Sequence, residues 1–63
     1  MMVTDLRWVI FDDVTIYIQG DDDFMDLYAG RMRDVPEKLL GAEVKCMGAK
    51  KSGGIDIEIR REA

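Results

Sequence analysis

The 63-residue sequence has no histidine, a single cysteine, one proline and one tryptophan, and each scarcity removes a class of chemistry. Without an imidazole there is no general base tuned to neutral pH and no nitrogen ligand for zinc. A structural metal would have to rest on one thiolate and carboxylates, a poor ligand set for zinc, so neither a metal nor a cofactor is expected. Cys46 has no partner for an intrachain disulfide, and a lone thiol suits a reducing, cytoplasmic setting. No segment reaches the ~18 consecutive apolar residues of a membrane span. The start, Met1 to Arg7, lacks the basic and apolar regions of a signal peptide, so no membrane association is expected.

Positive charge is also in short supply, with nine basic residues against thirteen acidic ones and a net charge of −4. That balance argues against the uniformly basic surface of a nonspecific binder of DNA or anionic membranes. The imbalance is local: residues 1–31 carry −5 and residues 32–63 carry +1.

Length limits what the chain can bury. A chain of this mass buries roughly 6,000 Å² on folding, about 3,800 Å² of it apolar, for on the order of 95 kcal/mol of hydrophobic gain. Ordering it at about 1.5 kcal/mol per residue costs nearly the same. One domain over residues 1–63 is expected. With disulfides and metals set aside, self-association as a homodimer or higher oligomer is the most economical supplement.

What is present reads mostly as strand. Leu6 to Phe11 is dense in β-branched and aromatic residues, Asp12-Asp13 favours a turn, and Val14 to Gln19 alternates strictly. These make an expected first hairpin. Phe24, Leu27 and Tyr28 fall at helical spacing, with Asp22 or Asp23 as N-cap, and suggest a helix over residues 24–33. A second helical turn follows over residues 35–41, with Pro36 at its start and Gly41 at its end. From Ala42 the period becomes two, which places Cys46 inward in phase with Val44. A glycine-rich turn over residues 48–54 leads into Ile55 to Arg60, again alternating, and residues 61–63 should fray. The expected fold is α+β, ββαββ, with a four-stranded antiparallel sheet and the helical middle packed on one face.

Three motifs invite chemistry and fall short of it. Asp21-Asp22-Asp23 with Asp26 offers carboxylates for calcium, but an EF-hand loop would need glycine at Asp26 and glutamate at Met32. Gly48 to Gly54 mixes glycine, lysine and serine without the order of a phosphate-binding loop or a following helix. Cys46 lacks the histidine or helix N-terminus that would activate it. Paired carboxylates remain available by type, yet so thin a fold offers little pocket volume, and no catalysis is expected.

The apolar content of Leu6 to Phe11 is the informative excess. As a strand it would be apolar on both faces and would need cover on both. Trp8, Val9, Phe11 and Tyr17 are therefore the expected anchors of a protein interface. The leading expectation is a small interaction protein that self-associates through this hairpin. The alternatives are nucleic-acid binding through Lys50, Lys51, Arg60 and Arg61, with Lys50 and Lys51 as anion contacts, or an acidic inhibitor that mimics nucleic acid.

Overall fold

Val3, Leu6 and Ile10 stand three and four residues apart, and all three side chains are buried. That spacing is helical, and in the computed structural model, which describes residues 1–20 and 26–60, Val3–Trp8 forms a 3₁₀ helix. Asp5 secures its start by accepting a hydrogen bond from the Met2 backbone N–H at 2.9 Å. The expected strand over residues 6–11 is thereby corrected. A helical stripe sends Leu6 and Ile10 inward together, whereas a strand would have had to find cover for two apolar faces. Asp12-Asp13 does form a turn, but it joins this helical segment to the first strand and closes no hairpin.

The first strand, β1, runs over Thr15–Gly20, with Ile16 and Ile18 buried. Its antiparallel partner β2 is Asp26–Arg31, in the stretch expected to be helical. The helical reading rested on Phe24, Leu27 and Tyr28. Phe24 and the two residues offered as cap, Asp22 and Asp23, lie outside the described residues, and Gly30 weakens any helix that contains it. Pairing with β1 gives this segment a backbone ladder in place of marginal helical bonds. A bulge opposite Ile18 and Gln19 separates Tyr28 from Asp26 in the register.

After β2 a short 3₁₀ turn, Met32–Asp34, leads to helix α1, Glu37–Leu40. Pro36 is its N-cap and Gly41 its C-cap, the latter at φ −86°, so Gly41 ends the helix without left-handed geometry. The second hairpin consists of β3, Val44–Ala49, and β4, Ile55–Ile59. Gly53 and Gly54 supply positive φ values of 100° and 89° in its connection.

The strands lie in the order β2-β1-β4-β3. Each hairpin is antiparallel, but the central strands β1 and β4 run parallel, with Ile18 opposite Ile57. The sheet is mixed, which corrects the expected antiparallel one. The connection from Arg31 to Val44 is about a dozen residues, long enough to carry the chain back so that β3 starts in the direction of β2. The result is a small α+β fold: a four-stranded mixed sheet with short helical pieces.

One face of the sheet is dry. Ile16, Ile18, Ile57 and Ile59 meet Val3, Leu6 and Ile10 from the N-terminal segment and Met32, Val35 and Leu39 from the middle of the chain. The backbone binds these layers as well. The Val3 N–H donates to Ala42 O and the Met32 N–H to Val14 O, each at 2.9 Å.

Candidate interaction surface

Burial of Leu6 and Ile10 decides where their neighbours go. The chain leaves the 3₁₀ helix in a tight turn, with the N–H groups of Val9 and Ile10 both donating to Leu6 O. Trp8, Val9 and Phe11 are left outside, at 89%, 69% and 81% exposure. Beside them lie two shallow grooves that share Arg7, Trp8 and Asp12. One, of about 270 Å³, also involves Thr4; the other, of about 350 Å³, also involves Val9, Ile10 and Phe11. Trp8 forms a wall of both. Arg7 and Asp12 make no ion pair among the described residues.

Tyr17 does not join this surface. It alternates with the buried Ile16 and Ile18, so it lies on the opposite face of the sheet, half-buried beneath Lys50. The Lys50 ammonium stands 4.1 Å from the centre of the Tyr17 ring and 3.6 Å from Asp56 Oδ1. That carboxylate oxygen is shielded from solvent and accepts no hydrogen bond, so the lysine balances its charge without a bond of hydrogen-bonding length. The sequence thus grouped four anchors of which the structure brings three together.

The same open face corrects the expectation for Cys46. A bulge between Val44 and Cys46 inserts an extra residue, so Val44 faces Ile59 on the core side while Cys46 faces Glu58 and is exposed. Its thiol lies 3.7 Å from Glu58 Oε2, which also meets Lys45 Nζ at 3.5 Å. Met47 returns to the core side opposite Ile57, half-exposed at the sheet edge.

The basic residues of the second hairpin are distributed among acids. Lys45 meets Glu58, Lys50 meets Asp56, and Arg60 Nε lies 3.9 Å from Glu43. Lys51 is exposed at the tip of the connection, and Arg61 lies outside the described residues. Such pairs add little stability, but they dilute the positive field that a phosphate backbone would meet.

A further open depression of about 460 Å³ lies beneath Leu27, Lys38, Leu39, Gly41, Ala42, Ile59 and Arg60. The fold therefore has more room than its length suggested. Lys38 and Arg60 are the ionisable groups lining it. Among the described residues no group of three or more cysteine and acidic side chains is placed to hold a metal ion, and no helix is long and apolar enough to cross a membrane.

The residues missed by sequence reasoning are Arg7 and Asp12, which flank the exposed aromatics. The three- and four-residue spacing of Val3, Leu6 and Ile10 was the signal that would have put them there. Comparison with protein-family models, curated proteins and solved structures gives no match for this chain.

Proposed function

We propose that this protein is a small, non-catalytic interaction domain that self-associates through the turn formed by Trp8, Val9 and Phe11. The observation supporting this reading is the exposure of Trp8 and Phe11, at 89% and 81%, on a turn anchored by the buried Leu6 and Ile10. Two aromatic side chains on an ordered backbone offer large contact area at low entropic cost, the composition found at interface hot spots.

The sheet edges support the same reading by being guarded. Each edge strand carries a bulge, with Lys45 exposed on β3 and Asp26 and Arg31 exposed on β2, devices that discourage strand addition. Association through the apolar turn needs no such edge. Sedimentation velocity across micromolar concentrations tests the proposal. The wild type should form dimers or larger species that Phe11→Asp weakens at least tenfold, and a wild type that stays monomeric would refute it.

A further inference from the structure

Resting on that reading, the geometry points to a definite arrangement: a two-fold homodimer in which Trp8 of each copy enters the groove beside Trp8 and Phe11 of the other, and Arg7 of each copy pairs with Asp12 of the other. A two-fold interface requires one patch to be complementary to itself. Here the projecting indole stands between two grooves that it helps to line, so knob and hollow belong to the same surface.

The charges on the patch are likewise complementary to themselves. Arg7 and Asp12 border both grooves, are exposed, and have no ion-pair partner among the described residues. Each is free to meet its opposite across a two-fold axis, and Arg7 can meet the carboxylate bidentately. Trp8, Val9 and Phe11, with the arginine stem, offer about 500 Å² per copy, or about 1,000 Å² for the pair. That is the lower bound for a specific interface, so a reversible dimer is expected. A lipid surface fits less well, because Asp12 and Asp13 follow directly on the aromatic turn and would face anionic headgroups.

Charge exchange provides the test, because a pairing of Arg7 with Asp12 between copies lets two defective variants repair each other, and a two-fold arrangement does so at both contacts of a closed dimer. Arg7→Glu alone and Asp12→Arg alone should each weaken dimerisation at least tenfold in sedimentation equilibrium at 50 mM salt. An equimolar mixture of the two should dimerise within threefold of the wild type, since the heterodimer has opposite charges at both positions. The double variant should recover as well. Circular dichroism confirms that each variant keeps its fold.

A mixture that stays as weak as its parents, while Trp8→Ala still dissociates the wild type, would overturn the two-fold pairing and leave the apolar turn as the interface. Association unaffected by either Trp8→Ala or Phe11→Asp would overturn the underlying reading. A monomer whose Trp8 fluorescence shifts to the blue on zwitterionic phosphatidylcholine vesicles would overturn both in favour of a lipid occupant.

Discussion

The Tyr28 hydroxyl donates a 2.6 Å hydrogen bond to the carbonyl oxygen of Arg31, three residues along the same edge strand. To reach it the phenol lies across Gly30, where an added Cβ would come within 2.7 Å of the tyrosine oxygen. An aromatic ring thus covers the gap left by a glycine in a strand. Burial, together with the nearby Asp34 carboxylate, raises the phenol above its ordinary value of 10.0. A raised pKa means that the folded state holds the proton more tightly, so this contribution is complete below the unfolded value and disappears as pH rises through the folded one. The titration of Tyr28 should therefore give stability no pH dependence near neutrality and a fall above about pH 10. Tyr28→Phe should cost about 1 kcal/mol at pH 7 and flatten the alkaline decline, as read by urea unfolding. An unchanged alkaline decline in that variant would assign the effect elsewhere.

The two glycines of the second hairpin differ in what surrounds them. Both have positive φ, but a Cβ at Gly54 would stand 2.9 Å from Thr15 O and 3.0 Å from the Tyr17 ring, whereas one at Gly53 would meet nothing within 4 Å. Gly53→Ala should cost about 1 kcal/mol of backbone strain, and Gly54→Ala clearly more. Thermal unfolding of both variants checks the ordering, and equal losses would contradict the close packing of this turn on β1.

Leu6 separates the helical from the extended reading of the N-terminal segment. It is fully buried beside Ile16, Ile18 and Ile57, whereas Arg7 and Trp8 beside it are exposed. Leu6→Ala should cost about 2–5 kcal/mol, a large share of the stability of so small a domain. Arg7→Ala, measured at a concentration where the protein is monomeric, should stay within about 0.5 kcal/mol. Comparable losses at both positions would be evidence against the helical stripe.

The basic hairpin gives a negative prediction. With Lys45, Lys50 and Arg60 each beside a carboxylate, no salt-dependent mobility shift of DNA or RNA is expected at 50 mM salt. Binding abolished by Lys50→Glu together with Lys51→Glu would reverse this assignment.

Strand β4 was legible because its period is unbroken: Ile55, Ile57 and Ile59 alternate with charges, and the strand has the expected boundaries within a residue. Pro36 and Gly41 likewise marked the ends of α1. The first half was not, for two physical reasons. Leu6 to Phe11 has strand-like composition, but tertiary burial of Val3, Leu6 and Ile10 overrode local propensity. Asp26 to Arg31 had helical spacing at two positions, but β1 needed a partner and Gly30 made a helix costly. The bulge that turns Cys46 outward left no mark in the alternation at all. Trp8, Val9 and Phe11 were singled out because a strand could not bury them, and they lie exposed because a helical turn leaves them on its outer side. Tyr17, chosen by the same strand argument, lies on the opposite face.

Trp8 is the only tryptophan in the sequence, so its fluorescence reports directly on the proposed interface. Followed from nanomolar to hundreds of micromolar protein, with sedimentation in parallel, emission should shift to the blue as dimers form, and Phe11→Asp should move the midpoint at least tenfold higher. Emission that remains that of a solvated indole across the whole range, with a monomer throughout, would contradict the account.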